Sequence, residues 1–167
     1  MSKRHPRKPR WLPTPDTLAL ALHHAAKLSQ EDRQEVLSVL HQAHTALRQG
    51  VATQLQWSML SGSLETAQAI ERKGIVRGLA GHLEAAQIAL HTIYRRAAIN
   101  GTWQSPVLHY QELDAISTFV DLHAYQINQL GRAELLAAID AAANRIKTGG
   151  GSVCVLDQQQ YQQQVAA

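Results

Sequence analysis

The sequence predicts an all-α protein, a single-domain bundle of five or six helices arranged as antiparallel helical hairpins. Apolar residues recur three and four positions apart through most of residues 16–147, and no segment sustains the alternation by two of a half-buried strand. The links between the apolar segments are short, which favours antiparallel neighbours. Aromatic residues make up only 5% of the chain. This composition argues against a sheet that stacks nucleic-acid bases, because such sheets are rich in aromatic and β-branched residues.

Capping residues mark the first two predicted helices. Residues 14–16 combine a hydroxyl, a proline and an acid, a pattern typical of a helix start. The apolar positions of this first helix are Leu18, Ala21, Leu22, Ala25 and Leu28. Residues 29–32 resemble a capping box that opens a second helix, and Gly50 ends it. The buried positions predicted for the second helix are Val36, Leu40, Ala43 and Leu47.

The third and fourth helices are predicted from long apolar stripes. The third covers about residues 52–73, and its inward positions are Trp57, Leu60, Leu64, Ala67 and Ile70. A glycine inside a helix costs ~1 kcal/mol relative to alanine, so the Ser-Gly-Ser at 61–63 predicts a kink or a break. Gly74 stops this helix. The fourth helix carries the stripe Val76, Leu79, Leu83, Ala86, Leu90, Ile93 and Ala97.

A turn at residues 100–101 separates these helices from the last two. The fifth helix carries Leu113, Ile116, Val120, His123, Ile127 and Leu130. Gly131 precedes a final helix with the face Leu135, Ile139, Ala142 and Ile146. We therefore assign residues 14–148 to the helical domain. Residues 149–167, a glycine linker followed by a Gln-rich segment, form a flexible tail with too little apolar surface to order.

The charge of the chain is concentrated at its start. The net charge is +3, from 16 Lys and Arg against 13 Asp and Glu. Residues 1–13 contain five cations and no acid, and their prolines block helix formation, which predicts a flexible basic arm. Such an arm can bind phosphates or an acidic protein surface. The predicted partner-binding residues are Lys3, Arg4, Arg7, Lys8, Arg10 and Trp11.

The nine histidines and the single cysteine predict no cofactor and no metal site. His41 and His44 share a helical face, and His23 and His24 lie on the helix before, but no HExxH or ExxH pattern accompanies them. His44 and His123 occupy apolar-stripe positions, which favours interior or interface histidines with hydrogen-bond partners. One cysteine, Cys154, excludes an internal disulfide and a thiolate zinc site.

One motif resembles a known family. Residues 77–82, Arg-Gly-Leu-Ala-Gly-His, have the Arg-x4-His spacing of the HEPN ribonucleases, which are also helical bundles. That family usually has a polar residue after the arginine, where this chain has Gly78. The resemblance implies that Arg77 would stabilise phosphate charge and that His82 would transfer a proton. A HEPN-like ribonuclease is therefore one alternative function.

The remaining motifs favour binding over catalysis. Nucleophile-elbow, P-loop and dinucleotide-binding glycine patterns are absent from the sequence, and we predict no catalytic residue. No stretch approaches the ~18 apolar residues of a membrane span, and no signal peptide is recognisable, so we expect a cytoplasmic protein without membrane contact. We predict a non-enzymatic accessory or regulatory protein, of bacterial or phage type by its composition. Its partner would be a protein or a nucleoprotein complex; the alternative is a DNA- or RNA-binding regulator that uses the arm. A homodimer is left open.

Overall fold

The computed structural model describes residues 26–99 and 102–149. Within these ranges the protein is all-α, with five helices. They are α1 (Gln30–Arg48), α2 (Gln54–Arg72), α3 (Ala80–Ala97), α4 (Tyr110–Gln129) and α5 (Arg132–Gly149). Between α3 and α4 the short strands β1 (Ala98–Ile99) and β2 (Thr102–Trp103) pair in antiparallel fashion. The predicted first helix lies outside the described residues, except for Leu28, which is buried just before α1 begins.

Capping boxes start α1 and α2. The Asp32 amide donates to Ser29 Oγ at 3.0 Å, and the Ser29 amide donates to the Asp32 carboxylate at 3.4 Å. The predicted start of α1 is thus confirmed. A second box, in which Thr53 and Gln56 exchange the same two bonds, starts α2 and was not predicted. Each box satisfies amide groups that the first turn of a helix leaves without partners.

Gly50 ends α1 as predicted, because the chain turns there through a conformation that side chains disfavour. Its φ of +71° lies in the left-handed region. The Gly50 amide donates to the Leu47 carbonyl, and the Val51 amide reaches back to Ala46. These bonds satisfy the last carbonyls of the helix and turn the chain towards α2.

Helix α2 lies at the centre of the fold. None of its side chains from residue 54 to 71 is exposed, and it packs against each of the other four helices. Helix α4 also packs against α1 and α3. Helix α5, in contrast, packs mainly on α2 and makes few contacts with α4, its neighbour in sequence.

Two apolar clusters hold this arrangement. The first contains most of the large buried side chains of α1 to α4, among them Trp57, Leu60, Leu90 and Phe119. The second joins the end of α2 to α5. Its members are Leu28, Ala69, Ile70, Ile127, Leu130, Leu135, Ala138 and Ala142.

The structure corrects four sequence predictions. Helix α3 begins at Ala80 and not near Val76, since residues 73–79 form an irregular link. Helix α2 runs unbroken through the Ser-Gly-Ser at 61–63, because the enclosing helices outweigh the glycine penalty. Val36 and Ile139 are exposed although their spacing predicted burial. Ala138 takes the expected place of Ile139 against α2, so the buried face of α5 is rotated towards a narrower, alanine-rich stripe.

Candidate binding surface

The predicted partner-binding residues of the basic arm lie outside the described residues. This applies to Lys3, Arg4, Arg7, Lys8, Arg10 and Trp11. The structure therefore leaves their role a prediction. The described part of the chain offers a different candidate surface.

Three large apolar side chains are exposed at one end of the molecule. Val107 and Tyr110 are 84% and 81% exposed, and Val51 is also exposed. Val107 lies just before α4 and Tyr110 is the first residue of that helix, while Val51 follows the end of α1. We call these three residues the end surface. Exposed large apolar side chains that are grouped at one place on a protein are a candidate binding surface.

An aromatic cluster fixes the fold behind the end surface. The ring centroids of Trp57 and Tyr94 lie 4.7 Å apart, and the Trp103 ring lies 6.2 Å from Trp57 and 6.3 Å from Tyr94. The indole N–H of Trp57 donates to the Leu90 carbonyl at 2.9 Å. Tilted ring pairs at these separations add stability beyond the area they bury.

Two tethers connect the link before α4 to the link after α1. The Trp103 indole N–H donates to the Ala52 carbonyl at 2.8 Å. The Ser105 hydroxyl donates to the Gly50 carbonyl. Both bonds join residues more than fifty positions apart in sequence, so they bring Val51 and the segment around Val107 to the same end of the fold.

An ion pair orders the segment between the tethers and α4. The Arg96 guanidinium donates to both oxygens of Glu112, at 2.7 and 2.6 Å, and also to the Val107 carbonyl at 3.2 Å. The hydrogen bond from Arg96 holds the pKa of Glu112 below its usual range. The same carboxylate accepts from the His109 amide and caps α4. Val107 and Tyr110 are therefore presented by an anchored segment.

A shallow cleft adjoins the end surface. Its volume is about 330 Å³. It is lined by Arg48, Gln49, Gly50, Ser105, Pro106, Val107, Leu108 and Leu113. The lining combines apolar and polar residues with one cation, a combination that can accept a side chain of a partner.

A second cleft, of about 210 Å³, lies between α2, α3 and α5. Its lining includes Trp57, Ser58, Glu65, His91 and Ile146. The Ser58 hydroxyl is buried and has no hydrogen-bond partner among the residues that the structure describes. Glu65 has an ion-pair partner, since its carboxylate lies 3.4 Å from the Arg145 guanidinium. The cleft is smaller than the ~300 Å³ typical of ligand pockets, so we favour the end surface as the candidate site.

The two histidines of the apolar stripes both have hydrogen-bond partners, as predicted. His123 is buried, and its Nδ1 lies 3.0 Å from the amide oxygen of Gln126, whose Nε2 donates to the Ala67 carbonyl. Burial lowers the pKa of His123. His44 is half-buried with Nε2 3.1 Å from Ser117 Oγ, and burial, followed by the charges of Arg48 and His41, lowers its pKa. Both rings have structural partners.

The two residues of the Arg-x4-His motif lie at the start of α3. Arg77 is exposed in the link before the helix, and its Nε donates to the Gly74 carbonyl at 3.2 Å. Gly78 adopts a φ of +92°, and its amide donates to Glu71 at 2.8 Å. His82 is exposed in the first turn. Gly78 therefore serves the backbone turn into α3.

Three further findings concern metal ions, membrane spans and similarity to known proteins. Residues 26–99 and 102–149 contain no group of three or more His, Cys, Asp or Glu that could hold a metal ion, and His23 and His24 lie outside them. None of the helices within those ranges has the length and apolarity needed to cross a membrane. Comparisons of the chain with known protein families, curated proteins and solved structures found no match.

The end surface was missed by sequence reasoning. Val51 and Val107 lie in links between apolar stripes, where a pattern search gives them no partner. An apolar residue in such a link is a weak signal, because links also contribute to cores. Only the tethers to Gly50 and Ala52 show that Val51 and Val107 belong to one end of the molecule.

Proposed function

We propose that this protein is a non-enzymatic accessory or regulatory protein that binds a macromolecular partner, a protein or a nucleoprotein complex. The end surface, formed by Val51, Val107 and Tyr110, would supply the apolar contact. The basic arm of residues 1–13 would add electrostatic contacts. The observation that supports this proposal most is the exposure of Val107 and Tyr110 on a segment that Arg96 and Glu112 anchor.

The proposal includes a partner of defined chemistry. Tyrosine is enriched in the buried centres of protein interfaces, and the loss of one central aromatic side chain often costs more than 1 kcal/mol. The five cations of the arm favour acidic groups on the partner surface. We further propose that the helices form a bundle of antiparallel hairpins as the scaffold, and that the protein acts in the cytoplasm of a bacterium or for a phage.

Affinity capture from the native host tests the end surface. The full chain is compared with a Val107→Ser, Tyr110→Ser double variant and with a control, Ile88→Ser, Tyr125→Ser, that changes equally apolar exposed side chains on α3 and α4. We expect the same partner with the wild type and the control, and its loss with the end-surface variant. Equal capture by all three would contradict the proposal.

A DNA- or RNA-binding regulator is the second candidate, and the distribution of charge favours it. Five of the 16 basic residues lie in the arm, and Asp16 and Asp157 are the acids outside the described ranges. The described residues therefore carry 11 charges of each sign, and the arm provides the excess of cations. Each cation that neutralises a phosphate releases counterions, so affinity would fall steeply with salt.

Two salt concentrations and one truncation separate the candidates. Nucleic-acid binding is measured at 50 and 200 mM salt for the full chain and for a chain that starts at Trp11. Affinity that falls with salt and disappears on truncation supports the regulator. No binding by either chain excludes it and leaves the protein-binding proposal standing.

The HEPN-like alternative and a homodimer each have a direct test. Arg77→Ala and His82→Ala would abolish ribonuclease activity if this were a HEPN-like enzyme, whereas the binding proposals expect no activity to lose. Sedimentation velocity of the wild type and of the end-surface variant shows whether a second copy occupies Val107 and Tyr110. If the wild type is a dimer and the end-surface variant is a monomer, the partner is a second copy of the chain.

A further inference from the structure

Helices α1 and α5 each carry an exposed apolar face with the same spacing. On α1 the face starts at Asp32 and continues through Val36 and Val39. On α5 it starts at Arg132 and continues through Leu136 and Ile139. Positions i, i+4 and i+7 lie on one side of a helix. The four apolar side chains are exposed, and Leu136 and Ile139 are each 42% exposed.

An ion pair brings the starts of the two faces together. The Arg132 guanidinium lies 3.3 Å from the Asp32 carboxylate. Asp32 and Arg132 each lie at the start of the exposed face of their helix. The apolar residues that follow therefore lie on the same side of each helix as the ion pair. His44, on another side of α1, contacts Ser117 of α4 and so marks the side that is turned away from α5.

The two helices extend in the same direction from that ion pair. Leu28, just before α1, and Leu135, near the start of α5, share a cluster with Ala69 and Ile70 at the end of α2. Further along, Leu47 of α1 packs in the cluster of Trp57. Ile146 of α5 lines the cleft beside Trp57. Both helices pack on α2 and make few contacts with each other, and we call the surface between their two exposed faces the groove.

Residues 26 and 27 contact the start of α5, at the end of the groove where Asp32 and Arg132 pair. The Arg132 amide donates to the Ala26 carbonyl at 3.1 Å, and Lys27 bridges to Gly131. Ala26 therefore lies beside Arg132 of the Asp32–Arg132 pair. Twelve residues, 14–25, lie between the basic arm and Ala26, and as a helix they would span about 18 Å. That is about the length of α5 from Arg132 to Ala143.

The sequence of this segment suits the groove. Its apolar residues, Leu18, Ala21, Leu22 and Ala25, recur at helical spacing, so one face can be buried against Val39 and Ile139 while the other faces water. We propose that residues 14–25 dock as an amphipathic helix in the groove between α1 and α5. The segment then extends back towards the end of the molecule that carries Val51 and Val107, and the basic arm leaves the fold there. This inference does not depend on the proposed function.

Thiol labelling of the full chain tests the docking. In a Cys154→Ser background, Ile139→Cys reports on the groove and Ile88→Cys, on the exposed side of α3, serves as the matched control. We expect the thiol in the groove to react with a maleimide about ten-fold more slowly than the control, because labelling requires local opening. Leu18→Asp together with Leu22→Asp is expected to raise the groove rate to that of the control and to leave the control unchanged.

Two results would overturn the proposal. Equal labelling of the two thiols in the chain with native residues 14–25 means that nothing covers the groove. Slow labelling that persists with the aspartates and depends on protein concentration means that a second copy covers it.

A double-mutant cycle with alanine substitutions provides the test if the aspartate variant does not fold. Leu22→Ala is combined with Ile139→Ala, with Val39→Ala and, as a control, with Ile88→Ala. In urea unfolding we expect at least one of the two groove pairs to depart from additivity by about three-fold or more in the unfolding equilibrium constant, and the control pair to be additive. Additivity in all three pairs would exclude contact between the segment and the groove.

Discussion

Helices α2 and α5 have similar lengths and opposite environments. Helix α2 is enclosed by four neighbours and buries Trp57, Leu60 and Ile70. Helix α5 packs mainly on α2, and it buries only Leu135, Ala138 and Ala142. Since burial of apolar area stabilises by about 25 cal/mol per Å², the small side chains of α5 contribute less per turn. The stability of this protein should therefore be unevenly distributed, with α5 at the low end.

The polar contacts of the two regions also differ in their exposure to water. Inside, the amide of Gln126 connects His123 to the backbone of α2 in a site closed to water. At the edge, α5 is linked to α2 by the exposed Arg145 and the half-buried Glu65. A buried neutral link responds to pH and to the loss of one partner, whereas an exposed ion pair responds to salt. Each response can be measured separately.

The largest expected effect comes from the same substitution in the two regions. Leu60→Ala removes a fully buried side chain from the large cluster, and Leu135→Ala removes one at the α5 interface. We expect a loss in unfolding free energy of about 3–5 kcal/mol for Leu60→Ala and about 2 kcal/mol for Leu135→Ala, because α5 can shift to fill the cavity. Urea unfolding monitored by circular dichroism measures both. Equal losses would show that α5 is as rigidly packed as α2.

Replacement of the buried amide should cost less than the cavity in the large cluster. Gln126→Leu keeps the shape of the side chain but removes its hydrogen bonds to His123 and Ala67. A lost hydrogen bond that leaves a buried partner unsatisfied costs about 1–3 kcal/mol. Gln129→Leu, at an exposed position on the same helix, is the control and should be nearly neutral. A neutral Gln126→Leu would mean that the link is not needed for stability.

Acidification should reduce the free energy of unfolding more through the buried His123 than through the exposed ion pair of α5. Burial lowers the pKa of His123 in the folded protein, so the unfolded chain takes up its proton first as the pH falls below about 6.5. The unfolding free energy is expected to be constant above that pH and to decrease from pH 6.5 to 5. His44, whose pKa is lowered for the same reason, adds to the slope.

Matched histidine variants assign this slope. His123→Gln removes one titrating group and should flatten the pH dependence partly, while His82→Gln, at an exposed position, should leave it as it is. Urea unfolding at a series of pH values provides the measurement. A stability that rises on acidification would contradict the burial of these two rings as neutral groups.

The sequence predicted the enclosed region better than the edge. All five inward positions expected for α2 are buried, because an enclosed helix uses the whole of its apolar stripe. On α5 the same reasoning placed Ile139 inside, but the helix packs through alanines on one neighbour, and spacing alone does not tell which of two apolar flanks meets it. The end surface depends on bonds such as Trp103 to Ala52, between residues far apart in sequence, and no local pattern encodes them.

The smallest expected effect concerns the ion pair at the edge. Arg145→Gln removes the charge that lies 3.4 Å from Glu65, but the arginine is more than half exposed. Exposed pairs contribute about 0.2–1 kcal/mol, and salt screens them further. We expect a loss below about 1 kcal/mol at low salt and almost none at 0.5 M NaCl. Lys147→Gln, an exposed cation on the same helix, is the control and should show no salt-dependent loss. A loss for Arg145→Gln that equals the loss for Leu135→Ala would mean that charge, and not apolar contact, attaches α5 to α2.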